Sequence, residues 1–395
     1  MQEEIFVTGA GIVSAIGMNK QENLAALKAK RGGIAPIRYL QTSRAFPVGE
    51  VKASNEEMCH ALRVPATAIT TRSSLMGMIA AREALEQAAL HGRNARVALI
   101  SGTTVGGMDK SEQYYIDFLE NDTRNEYIAA HDCGACTEMI ADYFGLFSLV
   151  ETLSTACSSA ANAILLGAAL LRDGRVDAVV AGGCECITKF HLNGFNTLMI
   201  LDKEPCKPFD ARRAGLTLGE GAAYLVLETG TAARQRGAIP LCRLSGHANS
   251  SDAFHQTASS PDGQGAFLSM TRALNAAGLS PTEIDYINAH GTGTINNDAS
   301  EGMAIQRVFG EKIPPVSSTK SFTGHTTSAA GGVEAVISIL ALQENFIPAN
   351  LHFTTPMPEL AFVPSTGREG VASRHVLSNS FGFGGNNTSL VFSKL

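Results

Sequence analysis

The chain has 395 residues, of which 45% are hydrophobic and 17% charged, with a formal net charge of −6. That supplies apolar material for a large core and for two domains or two fused halves, and it excludes a disordered chain. There is no run of like charge and no basic, aromatic-rich stripe, so nucleic acid is not expected as a partner.

Residues 5–14 read as a strand and a glycine turn. Gly9 and Gly11 invite a dinucleotide-binding reading, but Ser14 holds the third glycine place and no strand with a terminal acid follows about 20 residues on. The glycines fit better as a place where this strand passes close to another backbone. Residues 19–30 form an amphipathic helix with Leu24 and Leu27 on its apolar face, and 32–65 read as loops and short pieces. A long helix over 71–90 ends near His91-Gly92. Residues 97–104 are a buried strand closing in a glycine turn, and 112–120 and 137–144 are helical. The stretch 149–153 runs into Ser154-Thr155-Ala156-Cys157-Ser158-Ser159, and a small-residue helix follows to about Asp173, closed by Gly174. Residues 176–183 are another buried strand. Such strands alternating with helices predict an α/β protein whose sheets are covered on both faces.

From about Pro240 the pattern restarts. Residues 241–246 repeat the opening strand and glycine, and 284–292 repeat the strand into a glycine-threonine turn. Residues 315–342 then repeat the passage from a strand into a helix whose start is packed with small residues. Two copies of one α/β unit are therefore expected, 1–239 and 240–395. In the last element, Ser380-Phe381-Gly382-Phe383-Gly384-Gly385-Asn386-Asn387 makes little sense as a core strand. It reads as a backbone loop pressed against a site, with a large side chain that can swing.

No apolar run is long enough to span a bilayer, and the acidic start Met1-Gln2-Glu3-Glu4 does not open a signal peptide. No membrane partner is expected, and the location is expected to be cytoplasmic. Eight scattered cysteines fit reduced thiols. Cys133-x-x-Cys136 and Cys184-x-Cys186 are poorly spaced for zinc, so they read as core thiols and no metal is expected.

Three polar groups stand on turns after apolar strands: Cys157, His290 and His325. Alone, each fits a buried structural residue as well as a catalyst. Cys157 before a helix start would have its thiolate favoured by the free N–H groups there. Sites in α/β proteins collect at the carboxyl ends of strands, and a cysteine with two histidines there suits covalent catalysis.

These segments carry a resemblance. Residues 154–159 and 288–294, Ser317-Ser318-Thr319-Lys320-Ser321-Phe322-Thr323-Gly324-His325, and 379–385 resemble the elongating beta-ketoacyl-[acyl-carrier-protein] synthases, condensing enzymes of the thiolase fold. Lys207-Pro208-Phe209-Asp210 and Gly219-Glu220-Gly221-Ala222 also fit, and the match covers almost the whole chain. The resemblance implies a five-layered αβαβα fold of two duplicated halves and a homodimer. It implies an acyltransferase that loads an acyl chain on Cys157 and condenses it with malonyl-[acyl-carrier-protein] by decarboxylative Claisen condensation, as in fatty-acid elongation. No tightly bound cofactor is implied; the phosphopantetheine arm of acyl carrier protein carries the substrate. By the same carry-over, His290 and His325 donate hydrogen bonds to the malonyl thioester. Lys320 and Glu334 support them, and the backbone N–H groups of Cys157 and Phe383 form the oxyanion hole. Phe383 is also the gate. Thr292 and Thr294 contact the pantetheine arm, and Phe381 and Val105 line the substrate pocket.

Thiolases use a second cysteine near the end of the chain, and initiating synthases an asparagine where His325 stands. The non-catalytic chain-length subunit of polyketide synthases lacks the cysteine, so Cys157 disfavours a scaffold role. Two segments depart from the pattern: Ile295-Asn296-Asn297-Asp298, and 127–147 with His131, Cys133 and Cys136. The second leaves open a specialised polyketide or polyene ketosynthase of the same chemistry, with a possible heteromeric ketosynthase partner. Arg63, Arg72, Arg124 and Lys203 are candidates for docking the acidic carrier protein.

Overall fold

Gly9 and Gly11 lie inside a strand. In the computed structural model, which describes residues 3–65, 69–90, 95–121 and 123–395, strand β1 (Ile5–Val13) runs through both of them. Helix α1 (Arg72–Ala88) crosses so near that a Cβ at Gly9 would overlap the Ala84 carbonyl oxygen, and one at Gly11 that of Ala80. The close backbone approach read from the sequence is present; the turn is not. α1 is started by Thr71, whose side chain and that of Ser74 form a reciprocal cap. The His91-Gly92 pair lies outside the described residues.

The remaining elements that frame the site are β2 (Val97–Gly102), β3 (Leu149–Leu153), α2 (Ser159–Arg172), β4 (Ala178–Glu185) and β5 (Gly221–Thr229). They continue with β6 (Cys242–Ser251), α3 (Gln264–Ala277), β7 (Tyr286–Asn288), β8 (Val316–Ser317), α4 (Ala330–Glu344), β9 (His375–Gly382) and β10 (Asn386–Ser393). The hydrogen-bonded strand order is β8-β7-β9-β10-β6-β1-β5-β4-β2-β3. Read outward from the middle, the first five strands run 1-5-4-2-3 and the second five 6-10-9-7-8, which is the same order raised by five. Directions match as well. β2 is parallel to β3 and β4, β7 is parallel to β8 and β9, and the other pairs within each set are antiparallel. Among the described residues, the strands of the two sets pair where Phe6 and Val7 of β1 meet Arg243 and Cys242 of β6.

Helices α2 and α4 pack on each other and reach strands of both sets, whereas α1 covers β1, β5 and β4 and α3 covers β6 and β10. The fold is thus α/β in five layers, helix–sheet–helix–sheet–helix, with two duplicated halves, as the resemblance implies. α4 is buried from Ala330 to Leu342 on every side, as a central helix must be. Among the described residues, no helix is long and apolar enough to cross a membrane.

Several helices escape the sequence reading, three of them longer than six residues among the described residues. Asn55–Leu62 lies in the stretch read as loops, although Ser54 and Glu57 form a capping box. Lys189–Thr197 and Ile295–Phe309 are the others. The glycine-aromatic stretch is shorter as a loop than expected: Phe381 still belongs to β9, and only Phe383–Gly385 turns into β10. This topology brings the ends of β3, β7 and β8 and the β9–β10 turn to one place.

Candidate active site

Between β3 and α2 the chain kinks at Ala156, whose φ of +53° is unusual for a residue with a Cβ. Ser159 Oγ holds the kink, accepting from Thr155 N–H at 2.9 Å and donating to the Ala156 carbonyl at 2.6 Å. Below it, Asn386 Oδ1 accepts from Ser158 Oγ, Asn162 Nδ2 and Asn249 Nδ2 at 2.7–2.9 Å. The start of α2 is so tied to β6 and β10 of the second strand set.

His325 follows the short helix Lys320–Thr323, and its Nε2 lies 3.1 Å from Cys157 Sγ. The His290 ring meets that of His325 edge-on at 5.2 Å and 85°. Phe381 lies against His290 at 5.9 Å. All four side chains are buried. Beneath them Lys320 donates to His290 Nδ1 at 3.2 Å and pairs with Glu334. An acceptor at Nδ1 leaves the ring hydrogen on Nε2, the other ring nitrogen. Burial, and then the Lys320 charge, hold both histidines well below the usual imidazole range, so both are neutral donors near pH 7. Burial pushes Glu334 up to about 7 against the pull of Lys320.

Cys157 corrects an expectation. Its place before α2 does not leave a ready thiolate: burial pushes the thiol up to about 11, and Lys320 only partly offsets this. The backbone N–H groups of Phe383 and of Cys157 itself also favour the thiolate, against the burial. These are the two donors that the resemblance implies for the oxyanion hole. One ligand atom from each of Cys157, His290 and His325 falls within 4.8 Å of the others, a spacing that also suits a metal. The buried ammonium of Lys320 beside His290 opposes a second cation there.

The three residues open on a cleft of about 870 Å³, mouth included, lined also by Thr292, Thr294, Phe381 and Phe383. Phe383 stacks on Phe195 of the helix Lys189–Thr197 at 5.9 Å. Val105 is not part of this lining; it is buried, with its N–H on Glu185 at 3.2 Å.

Family models for the beta-ketoacyl synthase N-terminal and C-terminal domains match residues 2–233 and 241–354. The chain belongs to the beta-ketoacyl synthase family. Its relatives in that family are condensing acyltransferases, and so is this synthase. It is 34% identical to the 3-oxoacyl-[acyl-carrier-protein] synthase 2 of Coxiella burnetii, over 100% of this chain and 99% of the relative. It is 33% identical to nodulation protein E of Rhizobium meliloti, with 100% of both chains covered. Among solved structures it resembles the ishigamide ketosynthase/chain length factor, with a TM-score of 0.92 and 30% identity over 100% of both chains.

The synthase also uses residues that sequence reasoning missed. Glu301 accepts from His290 N–H at 2.9 Å, Gly291 N–H at 2.7 Å and Asn379 Nδ2 at 3.1 Å, and burial pushes it up to about 7. Asp298 accepts from Phe209 and Gly293 N–H groups. The two acids are i, i+3 on the helix Ile295–Phe309, and that spacing was the available signal. Glu185 holds the turn after β2, accepting from Thr103 Oγ1, Thr104 N–H and Val105 N–H. Arg72 is not a docking residue. It is buried, with both Glu220 oxygens at 2.9 Å from its Nε. Arg63 and Lys203 are exposed, and Arg124 lies 3.6 Å from Asp117.

Proposed function

We propose that this synthase is a cytoplasmic 3-oxoacyl-[acyl-carrier-protein] synthase of fatty-acid elongation type that acts as a homodimer, with halves 1–239 and 240–395. The observation that carries the reading is His325 Nε2 at 3.1 Å from Cys157 Sγ, beside a neutral His290 whose Nδ1 is held by Lys320. Cys157 is the nucleophile. Because its thiol is raised, the thiol proton must leave as sulfur attacks the acyl thioester, and the two backbone N–H groups receive the oxyanion. The thiol of the carrier arm leaves with that proton. Malonyl-[acyl-carrier-protein] then enters along Thr292 and Thr294. His290 and His325 donate to its thioester carbonyl as carbon dioxide departs and the enolate forms. The enolate carbon attacks the acyl group, and the Cys157 thiolate is released and takes up a proton from solvent. Lys320, Glu334 and Glu301 position the histidines, and Phe383 gates the cleft. The exposed edge strand β3 and the apolar side chains Tyr115, Ile116 and Leu119 support a subunit interface on that side.

A second reading has a specific support. The likeness to a ketosynthase paired with a chain length factor, and to a nodulation protein, favours a specialised ketosynthase with a heteromeric partner. Mass spectrometry of the intact protein with acyl carrier proteins of several chain lengths tests both. An acyl adduct that disappears in Cys157→Ala supports the chemistry, and the preferred chain assigns the pathway. No adduct with any chain refutes it.

A further inference from the structure

Cys157 is only 6% exposed and lines the cleft, so access for a carrier arm depends on the cleft's walls. One wall of the cleft comes from the segment 252–260, which contributes Thr257, Ala258 and Ser259 to the lining. It is a strap with close ends: Asp252 accepts from Phe254 N–H and from Ser260 N–H, each at 3.3 Å. One side of the strap is bonded to the β9–β10 turn. Gly384 N–H donates to the Gln256 carbonyl at 2.8 Å, and Asp252 N–H donates to the Gly385 carbonyl at 3.2 Å. Gly384 and Gly385 have φ of +79° and +76°, so this turn is built from the residues that deform most easily. The other side of the strap is bonded to the start of the helix Ile295–Phe309. Asn296 Oδ1 accepts from Ser259 N–H at 2.8 Å, and Asn296 Nδ2 donates to the Ser259 carbonyl at 3.1 Å. Asn296 belongs to the run that departs from the expected pattern after His290. A proline, glycine or aliphatic residue there could not make this two-way bond.

We propose that Asn296 is a positioning residue that latches the strap, and through it the Phe383 turn, in the closed form. In that form Phe383 stacks on Phe195 and lines the cleft together with Cys157. Opening for the carrier arm breaks the Ser259 clasp and lets strap and turn move together. The latch thereby favours the geometry that condensation needs over the access that loading needs. The functional side of this inference rests on Cys157 as the acylated nucleophile; the latch itself does not.

The test uses the full-length protein and two kinds of readout. Two hydrogen bonds of ordinary net strength correspond to about a tenfold change in the open population. N296A should therefore raise the alkylation rate of Cys157 by N-phenylmaleimide about tenfold, followed by mass of the Cys157 peptide. It should also speed hydrogen exchange in 253–260 while the melting temperature stays near that of the parent. N296D keeps the acceptor for Ser259 N–H and loses the donor, so it should fall between. Acyl loading should be retained or faster while condensation slows. Alkylation that is unchanged or slower in N296A overturns the latch. So does faster exchange spread over the whole chain, or an equal fall in both half-reactions. A failure of the Cys157 reading looks different: alkylation responds to N296A, but no acyl adduct forms in any variant.

Discussion

Lys320 has the strongest electrostatic leverage in the site, and its removal can be worked through. The side chain is 2% exposed and holds both Glu334 and His290 Nδ1. Lys320→Met keeps the length and removes the charge, which strands the Glu334 carboxyl in the core. Removing one partner of a buried ion pair costs about 3–5 kcal/mol, a large share of the roughly 5–15 kcal/mol of a typical folded domain. The loss should depend on pH. Glu334 is already raised to about 7 with Lys320 present, and removing the cation raises it further. An acid whose folded pKa is raised binds its proton more tightly when folded, so stability falls as pH rises from the ordinary carboxyl range through the raised value. The Lys320→Met variant should therefore lose least near pH 5 and most above pH 7. The double variant Lys320→Met/Glu334→Leu should regain most of the stability, because no charge is left unpaired. It should not regain malonyl decarboxylation, because His290 Nδ1 still lacks its donor. Chemical denaturation at pH 5.5 and 8, with carbon dioxide release from malonyl-[acyl-carrier-protein] as the activity, checks both parts. An equal loss of stability at the two pH values, or a double variant no more stable than the single one, refutes the reasoning.

His325→Ala should slow decarboxylation by about a hundredfold or more, the usual loss for one donor to a developing oxyanion, and acyl transfer less; separate assays of the half-reactions check this, and equal losses count against it. Alkylation of Cys157 by iodoacetamide should keep rising from pH 7 to 10, since the thiol lies at about 11; a plateau near pH 8 would show that burial does not dominate. Glu301→Ala leaves the N–H groups of His290 and Gly291 without their acceptor. It should lower the melting temperature and, in the folded protein, the decarboxylation rate more than the rate of acyl transfer. Gly9→Val drives a side chain into the backbone of α1 and should unfold or strongly destabilise the chain, read by circular dichroism.

Much of this site is legible without coordinates, because its reactive residues sit in local segments where strand, turn and glycine follow one another. Cys157 after β3, His290 after β7, His325 near β8 and Phe383 after β9 are all of this kind. The residues that were missed act through contacts that the local pattern does not show. Glu185 reaches back to Thr103 across 82 positions, and Arg72 finds Glu220 across 148. Asp298 and Glu301 lie on a helix that the sequence reading did not find, and an acid carries no local mark of the N–H groups it will accept from. Docking by Arg72 failed for the same reason, since burial is a property of the packed chain.

The chain by itself determined the alternation of strands and helices, the repeat of one α/β unit, and which cysteine and histidines meet in the cleft. These follow from hydrophobic period, turn residues and short motifs, which act over a few positions. Tertiary structure alone decided the protonation of the site and the closure of its cleft. A thiol raised to about 11, two neutral imidazoles and a carboxyl near 7 are set by how much water the packed layers exclude and by where Lys320 lies. The clasp between Asn296 and Ser259 joins two segments that meet only once the fold has formed.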